Sequence, residues 1–128
     1  MKLLLDTHTL LWFYLADPRL SSIAKSLILD PRNEKLVSPA SYWEIAIKVS
    51  RKTYVLTKPY ADVMREAIDL NGFAYLHITP VHTALLTTMV FHHRDPFDRL
   101  LVAQALAEGL SLISADSQLD AYGVSRLW

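Results

Sequence analysis

Short apolar runs of strand length alternate with longer segments of helical period, and no other feature of the chain narrows the fold as far. Leu3-Leu4-Leu5 is one such run, closed by Asp6, and Leu110 to Ser114 is another, followed by Asp116. Lys35 to Ser38 and Phe73 to Ile78 read as further strands, and Val124 to Trp128 as a last edge strand. Between them lie pairs of helices with clear punctuation. Thr9 to Ala16 is helical until Asp17-Pro18 stops it. Ser21 or Ser22 caps a helix to Leu29, and Asp30 to Asn33 is a turn. A helix begins near Ser41, and Pro59 opens another that Asn71-Gly72 ends. Thr79-Pro80 opens a helix to about Phe91, and Asp95-Pro96 one that Gly109 closes. Asp116 to Asp120 is a turn or short helix.

Strands joined through helices imply crossover connections, hence a mainly parallel sheet with helices on both faces, a three-layer α/β/α fold. At 128 residues and 52% hydrophobic composition, residues 1–128 can form one domain with a full core, and general disorder is excluded. No cysteine is present, which excludes a thiolate metal site and a cysteine nucleophile and fits a reducing cytoplasm. The apolar stretch from Leu10 to Ala16 is too short to cross a bilayer, and no signal peptide is expected. A soluble cytoplasmic protein without a membrane role follows as an expectation.

Sheets of this kind bind ligands at the carboxyl ends of their strands. Asp6 and Asp116 fall at that edge. Glu44 is expected on the first turn of its helix, and Asp98 is on the first turn after Asp95-Pro96. The topology therefore draws Asp6, Glu44, Asp98 and Asp116 toward one pocket. Like charges a few ångströms apart cannot all remain ionised without a counter-charge. Mg²⁺ or Mn²⁺ suits an all-oxygen set with no required histidine, and such an ion supports hydrolysis of a phosphodiester.

Each acid also has a plainer role. Asp95 is a helix cap before Pro96, Asp98 complements the dipole of its helix, and Glu44 completes a capping box with Ser41. The conjunction argues for more than caps. Asp6 abuts a buried strand, and Glu44 sits between Tyr42-Trp43 and Ile45-Ala46-Ile47, where a charge needs a partner.

Formal net charge is zero, so binding to a polyanion has to come from a local patch. Ile45 to Ala61 holds Lys48, Arg51, Lys52 and Lys58 and no acid. Lys48, Arg51, Lys52, Arg94 and Arg99 are the candidate phosphate contacts. Lys48 equally suits an i,i+4 pair with Glu44. Thr7 and Ser114 either hydrogen-bond to the ligand shell or cap turns. His92-His93 beside Asp95 is a weak histidine–carboxylate pattern, since loop histidines are common.

Four segments together resemble the PIN-domain ribonucleases, and among them the VapC-type toxins of type II toxin–antitoxin modules. They are Leu3-Leu4-Leu5-Asp6-Thr7-His8, then Ser41-Tyr42-Trp43-Glu44-Ile45-Ala46-Ile47-Lys48, then Arg94 to Ala105, and Ile113-Ser114-Ala115-Asp116. The resemblance spans essentially the whole chain. It implies a PIN-like fold with metal-binding, catalytic acids at Asp6, Glu44, Asp98 and Asp116, and Asp95 as an accessory. It further implies Mg²⁺- or Mn²⁺-dependent endonucleolytic cleavage of RNA, a homodimer, and a cognate antitoxin protein that covers the site. A nuclease of this fold acting on DNA or in RNA processing, or a non-catalytic binding module, has the same sequence features. Phosphotransfer enzymes resembling the haloacid dehalogenases also place an aspartate after the first strand. They carry Asp-x-Asp there, whereas this chain reads Asp6-Thr7-His8.

Overall fold

The computed structural model describes residues 1–128. Five parallel strands form one sheet in the order β3-β2-β1-β4-β5. They are β1 (Lys2–Leu5), β2 (Glu34–Val37), β3 (Ala74–Tyr75), β4 (Ser111–Ile113) and β5 (Arg126–Leu127). β1 lies at the centre and is paired on both sides, Leu5 with Val37 and with Ile113. Its three leucines are fully buried. Successive side chains of a strand point to opposite faces, and the core divides accordingly. Leu3, Leu5, Val37 and Ile113 pack under α1 (Thr7–Tyr14), α2 (Ser22–Leu29) and the helix that begins as α4 (Tyr60–Met64). Leu4, Leu36 and Leu112 pack against Leu101, Val102 and Ala105 of α6 (Pro96–Glu108). α3 (Pro39–Ser50) and α5 (Pro80–Leu86) complete the helical layers. The result is the expected three-layer α/β/α arrangement around a parallel sheet.

The cap signals place most helix starts. Ser21 accepts the Ala24 N–H and starts α2, and Asp95 accepts the N–H groups of Phe97 and Asp98 and starts α6. Gly109, at φ 65°, ends α6 in the left-handed conformation that glycine adopts without strain. Three expectations need correction. α3 starts at Pro39, capped by Ser38, so Glu44 lies in the second turn and is no capping-box partner of Ser41. Of the segment from Phe73 to Ile78 only Ala74 and Tyr75 form strand, at the sheet edge beside β2, with one further bond from the Leu76 N–H to the Val37 carbonyl. α5 stops at Leu86 rather than running to Phe91. The helix opened by Pro59 also changes character, passing from α4 into a π-helical turn over Arg65–Asp69.

Candidate functional site

The sheet register sets the floor of the site. After the last paired residues Val37, Leu5 and Ile113, the next positions are Ser38, Asp6 and Ser114, all buried. Asp6 keeps the register for one more step, its N–H donating to the Ile113 carbonyl at 3.1 Å. It is also the cap of α1, accepting the Thr9 N–H at 2.7 Å. Burial pushes its carboxyl above the usual range, while the Ser114 hydroxyl and the Thr9 N–H oppose that by bonding the ionised form. Ser114 further accepts the Asp116 N–H at 3.1 Å, which ties the strand ends together.

Glu44 projects inward from α3 with only 7% of its side chain exposed. Both its oxygens are engaged. The Thr7 hydroxyl donates to Oε1 at 2.7 Å, and Lys48 Nζ lies 3.0 Å from Oε2. Asp98 faces the same space from the first turn of α6. Burial, followed by the charges of Asp95, Asp6 and Glu44, pushes its carboxyl up to about 7. The four acids named in that effect therefore share one electrostatic field. Asp116 comes from beyond β4. Its Oδ1 accepts the Gln118 N–H at 3.0 Å, and its Oδ2 lies 3.0 Å from His93 Nε2. His93 Nε2 is also 3.5 Å from Asp98 Oδ2. One ligand atom each from His93, Asp98 and Asp116 falls within 4.8 Å of the others, and Asp6 and Glu44 stand outside this tightest group.

These donors fit a hard divalent ion: carboxylate oxygens dominate, one imidazole adjoins them, and thiolates are absent. A carboxylate raised by burial and by neighbouring carboxylates is one that a cation would favour in its ionised form.

The basic candidates divide. Lys48 is half-exposed at the rim while paired to Glu44, and Arg51 shares a groove with Glu44, Lys48, Asp95 and Phe97. Lys52, at φ 59°, and Arg94 face solvent. Arg99 does not. It is 5% exposed, and its guanidinium donates to the Val90 and Met89 carbonyls and to the Tyr122 hydroxyl. A side chain so enclosed cannot reach a phosphate, so Arg99 is removed from the RNA-contacting set.

Sequence reasoning undervalued His93 and missed Tyr122. His93 carried only the weak signal of a loop histidine two residues before Asp95. Tyr122 had none, because its contact with residue 93 is made only by the tertiary fold.

Residues 3–124 match the family model described as "PIN domain". The chain is 28% identical over 119 residues to Ribonuclease VapC22 of Mycobacterium tuberculosis (strain ATCC 25618 / H37Rv), covering 93% of this chain and 90% of that protein. Among solved structures, VapBC2 from Rickettsia felis bound to a DNA fragment from its promoter superposes with a TM-score of 0.69 at 16% identity, covering 100% of this chain and 99% of that one. FitAcB from Neisseria gonorrhoeae gives 0.68 at 19% identity, covering 98% and 96%. At such identities the structural likeness establishes the fold alone. The family match is broader evidence, because it runs from the central strand that carries Asp6 to beyond Asp116 and so takes in every acid of the cluster: the chain belongs to the PIN domain family.

Proposed function

We propose that this protein is a metal-dependent endoribonuclease, the toxin of a type II toxin–antitoxin module, and that Asp6, Glu44, Asp98 and Asp116 form its reaction centre with Asp95 as an accessory. The single observation that carries the reading is the convergence of Asp95, Asp6 and Glu44 on half-buried Asp98, where burial first and the charges of these acids second push its carboxyl up to about 7. A binding scaffold has no use for that repulsion. Family membership and the ribonuclease relative support the RNA substrate, and the VapBC and FitAcB neighbours support an antitoxin partner. A homodimer and a cytoplasmic location belong to the same reading. No helix is long and apolar enough to cross a membrane.

Asp98 and Asp116 would hold the ion directly, with Asp6 and Glu44 completing its shell from the floor. The chemistry such an ion supplies is Lewis acidity, which offsets the charge that develops on phosphate oxygens. The protein's own groups do the positioning. Thr7 fixes the orientation of Glu44 by donating to Oε1. Lys48 neutralises Oε2 and keeps its ammonium at the rim, where a phosphate approaches. Arg51 extends that rim along the groove, and Lys52 and Arg94 add exposed charge. Lys48, Arg51, Lys52 and Arg94 are the RNA-contacting set we retain.

The test is Asp6→Asn. Asparagine caps a helix as well as aspartate, so α1 keeps its start while the site loses a charge. RNA cleavage in Mg²⁺ or Mn²⁺ should fall at least about 100-fold, a loss typical of removing a preorganised charged group, with circular dichroism unchanged. Cleavage at the parental rate by the folded variant defeats the assignment.

A further inference from the structure

We propose that His93 is a positioning residue that holds the Asp116 carboxylate through its Nε2–H, and that buried Arg99 and Tyr122 clamp the segment that carries it. The inference rests on the reading of Asp116 as part of the reaction centre.

The hydrogen-bond pattern of the ring fixes which nitrogen carries the proton. The Asp95 backbone N–H points at His93 Nδ1 at 3.0 Å, so Nδ1 presents its lone pair there. A neutral imidazole has one N–H, which is therefore on Nε2. Nε2 faces Asp116 Oδ2 at 3.0 Å and Asp98 Oδ2 at 3.5 Å, and both oxygens can accept. A histidine that ligates an ion shows the opposite arrangement, with a lone pair toward the ion and its other nitrogen donating outward. To act so here, His93 would have to place a proton on Nδ1 against the Asp95 N–H, donor against donor. With Oδ1 on the Gln118 N–H and Oδ2 on His93, the Asp116 carboxylate is fixed at both ends.

The clamp behind His93 consists of a buried cation applied to one loop. Arg99 donates to Val90 O at 2.9 Å, to Met89 O at 3.3 Å and to the Tyr122 hydroxyl at 3.0 Å. None of these partners is a carboxylate. Its guanidinium carbon lies 3.9 Å from the centroid of the Phe91 ring, which covers it from outside. The Tyr122 oxygen also accepts the His93 N–H at 2.9 Å, so one hydroxyl joins the arginine to the histidine backbone. Burying a guanidinium is unfavourable unless it is well bonded, and through the Tyr122 hydroxyl Arg99 also touches the end of the 3-10 helix Ser117–Tyr122. Directly and through Tyr122 it also holds residues 89–93, part of the stretch left without helix when α5 stops at Leu86.

Long-range ¹H–¹⁵N correlation spectra of ¹⁵N-labelled protein read the tautomer directly, with no substrate present. His93 should show a protonated Nε2 and an unprotonated Nδ1, and should keep that pattern when Mg²⁺ is added. A proton on Nδ1, or its transfer there on adding Mg²⁺, overturns the proposal. In Tyr122→Phe the two tautomers should average, and kcat for RNA cleavage should fall about 10-fold, as for loss of an outer-shell partner, with KM unchanged. If that variant only melts at a lower temperature, with tautomer and kcat intact, the clamp is merely structural. His93→Gln keeps an N–H donor and should retain more activity than His93→Ala; equal activity in the two removes the donor role. A wild-type protein that cleaves no RNA defeats the ribonuclease reading alone, since the spectra still decide the tautomer and the clamp.

Discussion

Asp98 makes the ionisation of the site depend on pH in a predictable direction. Its carboxyl is pushed up to about 7 by burial and by Asp95, Asp6 and Glu44, from an ordinary value of 3.8. A group whose folded pKa is raised binds its proton more tightly in the fold than in the unfolded chain. The associated stability is fully present below about pH 4 and is lost as pH rises through about 7. Thermal melts of the protein in EDTA should therefore show this contribution declining across that window. Asp98→Asn should flatten the decline, and an unchanged profile would show that Asp98 does not titrate as its surroundings require. Thr7 offers a second test at this scale. Thr7→Val keeps the shape but leaves Glu44 Oε1, a buried charged acceptor, without its donor. The expected loss is about 1.5–3 kcal/mol, measured by urea denaturation, together with weaker divalent-ion binding.

The start of α6 brings two effects of one residue into view. Asp95 caps the helix by accepting from Phe97 and Asp98, and its charge also raises the carboxyl of Asp98. Substitution separates the two. Asp95→Asn keeps a good cap and removes the charge, so it should lower the midpoint of the Asp98-linked pH dependence with little change in melting temperature. Asp95→Ala removes both and should cost about 1 kcal/mol in addition. Equal behaviour of the two variants would mean that capping alone matters. This element was legible from Asp95-Pro96 and Gly109, because cap, proline and glycine signals act locally. β1 and α2 were legible for the same reason. Ser41 does not start α3: Ser38 caps it and Pro39 takes the first helical position, so Glu44 falls a turn later than a start near Ser41 implies. The early end of α5 was not legible. Apolar residues continue through Leu86, Met89 and Val90, but past Leu86 the backbone tightens, with the Thr87 and Thr88 N–H groups and hydroxyls bonding the Ala84 and Leu85 carbonyls. The segment beyond is then held by Arg99, about ten residues away in sequence, and local patterning does not reveal that contact.

At the scale of the molecule, the acidic cluster exists only when the sheet does. Asp6 follows β1, Asp116 follows β4, and Glu44 and Asp98 arrive on α3 and α6, which pack against each other. The alternation of short apolar runs with helices already implied this convergence, because a parallel sheet gathers its strand ends at one edge. It did not reveal that Arg99 is interior, since burial of a cation is decided by its tertiary partners. An unfolded chain spreads these acids along nearly its whole length and offers no comparable site. A divalent ion that binds the cluster must then stabilise the fold by mass action, by about 2.7 kcal/mol at a hundred times its dissociation constant. For a chain of this size that is roughly 10 °C in melting temperature. Mg²⁺ or Mn²⁺ at millimolar concentration should raise the melting temperature by that order, EDTA should reverse it, and the rise should be lost in Asp98→Asn. The combination also separates site binding from general screening. Net charge is zero, so screening has little overall repulsion to relieve. NaCl at matched ionic strength should therefore fail to reproduce the shift, and if it succeeds, the acids do not act as one site.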